Sequence, residues 1–180
     1  MNLPNKITIL RVCMIPFFLI FMLIPSIPYN QYIAAVIFVI AALSDAVDGH
    51  IARKHNLITN FGKFMDPLAD KLLVSAALIC FVELRLIPAW IIIIIISREF
   101  IISGFRLVAS DNGVVIAASY WGKFKTVAQM IMSVLLIVNF DGILFNTAEQ
   151  ILIYASLILT IVSLIDYLWK NRKVLNEGSK

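Results

Sequence analysis

Four aspartates set the chemistry open to this chain. Asp45 and Asp48 are followed by Gly49, Ala52 and Arg53, and Asp66 and Asp70 are preceded by Gly62. On a helix of about 3.6 residues per turn, Asp45, Asp48, Gly49 and Ala52 share one face. Gly62, Asp66 and Asp70 share a face of the next helix. A connection of about eight residues makes these helices antiparallel neighbours, so the two faces can meet and four carboxylates converge.

Four negative charges do not sit together in a low dielectric unless something neutralises them. Hard divalent cations do this best, and a donor set of carboxylates without Cys or clustered His favours Mg²⁺ or Mn²⁺ over Zn²⁺. Two such ions can clamp a diphosphate and hold the attacking and leaving oxygens of a displacement at phosphorus. The small residues leave room for a bulky ligand to approach the backbone, and Arg53 is a natural partner for phosphate oxygens. Asp66-Pro67 also reads as an ordinary helix start, with Asp66 as N-cap and proline in the first position. Capping accounts for one carboxylate, not for four interleaved with small residues. Under the metal-site reading Pro67 is a kink, tolerated in a membrane helix whose neighbours satisfy the freed backbone groups.

The elements that must position these residues are membrane helices. Of the 180 residues, 61% are hydrophobic and only 14% charged, with a mean hydropathy of +0.94. A soluble chain this small needs far more polar surface to cover itself. Spanning the hydrocarbon takes about 20 apolar residues. Six segments qualify: Ile9 to Pro28, Tyr32 to His50, Phe64 to Leu84, Pro88 to Ala109, Val114 to Phe140 and Ala148 to Trp169. The fold class expected is an all-α integral membrane protein, a six-transmembrane-helix bundle forming a single domain over residues 1–180. The leading residues, with Leu3, Ile7 and Leu10 on one face, predict a short N-terminal interfacial segment. Small residues suited to a cleavage site do not follow the first apolar run, so it is read as an uncleaved helix.

Basic residues give the expected topology. Lys6 and Arg11, then Arg53, Lys54 and Lys63, then Arg106, Lys123 and Lys125, then Lys170, Arg172, Lys173 and Lys180 mark alternate ends of the spans. The other connections are neutral or acidic, so both termini and the carboxylate cluster are expected on the cytoplasmic side. The net charge of +4 is read as this topology signal, with no nucleic-acid partner. Cys13 and Cys80 are read as small buried hydrophobes without a disulfide.

The pattern Asp45-x2-Asp48-Gly49-x2-Ala52-Arg53-x8-Gly62-x3-Asp66-x3-Asp70 resembles the signature of the CDP-alcohol phosphotransferase family at all eight positions. The family's six-helix architecture covers nearly the whole chain. The resemblance implies attack of an alcohol on the phosphorus of a CDP-linked lipid, with release of CMP. It implies two ions, Mg²⁺ or Mn²⁺, held by Asp45, Asp48, Asp66 and Asp70, and Asp70 as general base. It places Gly49, Ala52, Arg53, Thr59 and Gly62 at the CDP donor, with Asn5 and Thr8 assisting. It further implies a homodimer among membrane lipids.

That signature is silent on the acceptor. Arg98, Glu99 and Arg106 stand inside the fourth span, and Lys123, Lys125 and Gln129 open the fifth. Such a basic set suits an acceptor that carries a phosphate. Topogenic lysines and a structural Arg98–Glu99 pair would look the same. The opening segment, the run from Asn60 to Leu72, the run from Ser97 to Leu107 and Gly122-Lys123-Phe124-Lys125-Thr126 resemble the bacterial branch of the family that uses sn-glycerol 3-phosphate. That implies CDP-diacylglycerol as donor, acceptor-phosphate contacts from Arg98, Arg106, Lys123 and Lys125, and a place in the bacterial cytoplasmic membrane with the active site facing the cytoplasm. Branches acting on inositol phosphate, serine or phosphatidylglycerol are the alternatives. A membrane prenyltransferase or a cation transporter would also carry intramembrane carboxylates, but neither requires Arg53 and the small residues at this spacing. His50 and His55 are expected at the polar surface, and Asp166, near Trp169 and Lys170, at the interface.

Overall fold

In the computed structural model the described backbone comprises residues 3–54, 60–111, 116 and 119–172; the side chains described are those of the same residues except 3–5, 45–54, 60–67, 70, 110 and 111. The described residues form six helices: α1 (Leu3–Leu23), α2 (Asn30–Lys54), α3 (Asn60–Glu83), α4 (Ala89–Asp111), α5 (Tyr120–Val138) and α6 (Ile143–Lys170). Three of them, over Lys6–Leu23, Tyr120–Val138 and Ile143–Lys170, are long and apolar enough to cross a membrane. In α2 the stretch whose side chains are described, Asn30–Ser44, is also apolar. The protein is an all-helical membrane protein.

The chain divides into two compact units. The first comprises residues 1–86 and 133–140. In it α1 packs on both α2 and α3, and α2 on α3. Small residues make this close approach possible. Ala34 and Ala41 on α2, and Ala69 and Ala77 on α3, are completely buried, letting helix backbones come together as they do in membranes. Phe18 of α1 fills the remaining space against Phe38 of α2, with ring centroids 5.9 Å apart and planes tilted by 43°.

The second unit comprises residues 87–132 and 141–180, and within it α4 packs on α6. Helix α6 gathers its polar residues on the inner face and turns apolar ones outward. Glu149, Ser156, Thr160, Ser163 and Tyr167 are buried, whereas Ile151, Ile158 and Ile165 are each about 60% exposed. Spacings of three, four and seven residues put each set on one face. In water this arrangement would be inverted; in lipid it is the stable one. Two of the hydroxyls that face inward are held within the helix. Thr160 Oγ1 donates to the Ser156 carbonyl at 2.6 Å, and Ser163 Oγ donates to the Thr160 carbonyl at 2.9 Å.

The helix limits differ from the hydrophobic segments in explicable ways. Helix α1 runs unbroken from Leu3 to Leu23, without a separate interfacial piece, and stops well before Pro28. Pro25 lacks the N–H needed to continue, and the residue before a proline is pushed out of the helical region. Helix α5 starts at Tyr120 rather than Val114 because Ser119 caps it: its Oγ accepts from the Gly122 N–H at 3.1 Å. Helix α6 begins at Ile143, five residues before the expected Ala148, once Gly142 has taken φ of 139°. Helix α3 closes with Arg85 at φ 58°. There the Leu86 N–H reaches back to the Phe81 carbonyl at 2.8 Å, the six-to-one bond of a Schellman turn. Cys80 is buried as expected, but Cys13 is exposed. An apolar environment outside the bundle removes the reason for a small hydrophobe to turn inward.

Candidate functional site

Two groups of residues carry the candidate chemistry, one in each unit. In the first unit, Asp45, Asp48, Gly49, Ala52 and Arg53 fall in the last three turns of α2, and Gly62, Asp66 and Asp70 in the first three turns of α3. Because both stretches are continuous helix, the three- and four-residue spacings place each set on one face. Helix α3 starts at Asn60, so Asp66 stands nearly two turns inside it and is not an N-cap. This removes the capping explanation for that carboxylate. The side chains of Asn5, Asp45, Asp48, Gly49, Ala52, Arg53, Gly62, Asp66 and Asp70 lie outside the described residues, as does the whole of Thr59, and so do His50 and His55. Among the described residues there is no cluster of three or more His, Cys, Asp or Glu. The donor set of four carboxylates on two helical faces fits hard divalent cations, which prefer oxygen ligands.

Helix α1 adds two residues to this end of α2. Thr8 is completely buried and Arg11 is 1% exposed. Arg11 Nε donates to Ser44 Oγ at 3.3 Å, and Ser44 Oγ donates to the Ala41 carbonyl at 2.8 Å. Ser44 immediately precedes Asp45, so a buried guanidinium is fastened to the start of the carboxylate motif. The positive-inside reading took Arg11 for a topology signal. Its burial adds a packing role, because Arg11 is also bonded to Ser44 inside the bundle. The available signal was a charge within an apolar run, which in a membrane helix is functional by default.

In the second unit, Arg98 of α4 and Lys125 of α5 converge on Glu99. Arg98 Nη1 donates to Glu99 Oε1 at 3.0 Å, and Lys125 Nζ pairs with the same oxygen. Arg98 Nε donates to Ser163 Oγ of α6 at 3.1 Å. Arg98 and Lys125 are buried, and Glu99 is partly open. Two cations and one carboxylate leave these three side chains with a net charge of +1. Gly122 lies directly against this group: a Cβ there would stand 3.4 Å from Arg98 Nη2.

The other two predicted cations take separate positions. Arg106 is exposed, with its guanidinium carbon 5.8 Å from the centroid of the Tyr167 ring. That ring also meets Phe105 edge-on at 5.7 Å. Lys123 is exposed, with Nζ 5.5 Å from the centroid of the Tyr120 ring. Both are cation–π distances. Asp166 pairs with Lys170 at 2.7 Å, one turn on, in keeping with an interfacial place at the end of α6. The Glu99–Lys125 pair joins residues 26 positions apart, and the spacing of charges within α4 alone did not reveal it.

A sequence profile described as CDP-alcohol phosphatidyltransferase matches residues 1–162 of the chain. The chain is 49% identical to "CDP-diacylglycerol--glycerol-3-phosphate 3-phosphatidyltransferase" of Bacillus subtilis (strain 168), with 99% of both chains covered. It is 44% identical to the Haemophilus influenzae protein of the same name, over 93% of this chain and 91% of that one. It is 35% identical to a "Probable phosphatidylglycerophosphate synthase" of Mycobacterium tuberculosis, over 92% of this chain and 79% of that one.

Proposed function

The chain belongs to the CDP-alcohol phosphatidyltransferase family, and from that premise we propose that it transfers the phosphatidyl group of CDP-diacylglycerol to sn-glycerol 3-phosphate. The observation that carries the reading is the 49% identity to the Bacillus subtilis transferase across 99% of both chains. The products are phosphatidylglycerol phosphate and CMP. One P–O bond forms, from the acceptor's primary hydroxyl to the phosphatidyl phosphorus, and one breaks, to the CMP leaving group.

Asp45, Asp48, Asp66 and Asp70 would hold two Mg²⁺ or Mn²⁺ ions, which when bound supply charge neutralisation at the diphosphate and polarise its phosphorus. Asp70 takes the proton of the attacking hydroxyl. Arg53 contacts donor phosphate oxygens, Gly49, Ala52 and Gly62 admit the CDP moiety, and Thr59, Asn5 and Thr8 complete that contact. Arg11 keeps the start of the carboxylate motif in register through Ser44. Arg98, Arg106, Lys123 and Lys125 receive the acceptor phosphate. The gathering of buried Arg98 and Lys125 at one point of the bundle supports that assignment.

The bundle crosses the bacterial cytoplasmic membrane six times as one catalytic domain, with both termini and the active site at the cytoplasm. The distribution of Lys and Arg among the connections supports this. We place the working form as a homodimer on family grounds.

Purified protein should release CMP from CDP-diacylglycerol when given sn-glycerol 3-phosphate, and not with serine, inositol phosphate or phosphatidylglycerol. Turnover with one of those and none with glycerol 3-phosphate would overturn the acceptor assignment. Exposed Arg106 and Lys123 test the phosphate contacts most cleanly, because neutralising them leaves no buried partner behind. Arg106→Gln or Lys123→Gln should raise the KM for glycerol 3-phosphate by roughly tenfold or more, the loss of a charge-assisted hydrogen bond, with the KM for CDP-diacylglycerol unchanged. A variant with unaltered acceptor kinetics returns that residue to a topology role.

A further inference from the structure

Gln129 of α5 is 3% exposed, and neither Nε2 nor Oε1 has a hydrogen-bond partner among the described residues. A side-chain amide offers two donors and two acceptor lone pairs. Sealing it in a membrane bundle without partners is costly, so its presence calls for a purpose. It stands four residues after Lys125, which puts the two on one face of α5, about 6 Å apart along the axis. Lys125 in turn holds Glu99 beside Arg98. A neutral, two-sided hydrogen-bonding group is thus set one helical turn deeper than a cationic one. That order matches a small molecule with a phosphate at one end and hydroxyls beyond it.

We propose that Gln129 is a specificity-determining residue that reads the central hydroxyl of the phosphorylated acceptor. The assignment rests on the acceptor reading given under Proposed function. The phosphate competes with Glu99 for Lys125 and Arg98, and the hydroxyl next to it satisfies the waiting amide. An analogue without that hydroxyl leaves the amide unpaired, which is how a polar site rejects a ligand that is merely smaller. Chains of equal charge but different hydroxyl pattern are then sorted by an amide that carries no charge itself.

The test compares sn-glycerol 3-phosphate with 3-hydroxypropyl phosphate, which keeps the phosphate and the terminal hydroxyl but lacks the central one. Wild-type protein in detergent with CDP-diacylglycerol should favour glycerol 3-phosphate by at least about tenfold in kcat/KM. Gln129→Met keeps length and volume and removes the amide. It should bring the ratio to within about twofold of unity through loss on glycerol 3-phosphate, with the KM for CDP-diacylglycerol unchanged. Thermal unfolding separates reading from scaffolding. Deleting an amide whose partner is the substrate should leave the Tm of the substrate-free protein unchanged or raise it. A structural amide would instead lower it.

Undiminished discrimination in Gln129→Met would overturn the proposal. So would equal loss on both acceptors with a fall in Tm, or failure of the variant to fold. A wild type that uses glycerol 3-phosphate but does not discriminate would sink the Gln129 assignment alone. A wild type inactive with both acceptors would refute the acceptor reading and this assignment with it.

Discussion

Asp70→Asn should lower kcat by about 10²–10⁴, the scale of a general-base contribution. An alcohol is a poor nucleophile until its proton departs, so the group that accepts the proton governs the chemical step. Asp70 lies one turn beyond Asp66 on α3, the farther of the two carboxylates along that helix. On the assignment proposed above, asparagine keeps the size and shape of the side chain, removes the proton acceptor and weakens one metal contact. CDP-diacylglycerol should therefore still bind measurably. Asp45→Asn and Asp66→Asn should weaken metal-dependent donor binding as well as turnover. Calorimetric titration of the donor in the presence of Mn²⁺, beside turnover of each variant, separates the two behaviours. Normal turnover of Asp70→Asn at saturating metal would assign the base elsewhere.

The second large effect is the loss of metal. Four carboxylates confined to two helical faces repel one another, and the donor adds the charge of its diphosphate. Stripping divalent ions with a chelator should abolish turnover, and Mg²⁺ or Mn²⁺ should restore it, since neutralisation and polarisation at phosphorus have no other source among these residues. The same titration followed by thermal unfolding should show metal raising the Tm of wild type, as any ligand specific to the native state does, and raising it less in Asp45→Asn. Full activity in chelator, with metal content measured as negligible, would contradict the two-ion account.

Periodicity made the carboxylate faces legible before any coordinates, because α2 and α3 are continuous helices through Asp45–Ala52 and Gly62–Asp70. Boundaries were harder. The apolar run at the end of α1 continues past Leu23 to Ile27, so hydropathy alone overshoots, and the two prolines decide where the helix stops. The start of α5 depended on a serine cap, a local signal that an apolar window averages away. Interactions between distant elements were the least accessible. A lysine near the cytoplasmic end of a span looks topogenic whatever it touches, yet Lys125 is buried against Glu99. Arg11 illustrates the same point. Its charge sits where the positive-inside rule expects one, and only the packing of α1 on α2 shows it fastened to Ser44. Gln129 stands beside Lys123 and Lys125 in the sequence, but only its burial without partners among the described residues shows it to be more than a neighbour of theirs.

The central claim is a direct transfer between two named substrates, and product stoichiometry tests it most directly. Purified protein would be supplied with CDP-diacylglycerol, Mg²⁺ and sn-glycerol 3-phosphate labelled in its phosphate, and both products would be counted in one reaction. The account predicts one labelled phosphatidylglycerol phosphate for each CMP, and no CMP when the acceptor is withheld. CMP released without a labelled lipid product would mark a hydrolase, and no CMP under any condition would mark a protein that does not cleave the donor; either result would contradict the account.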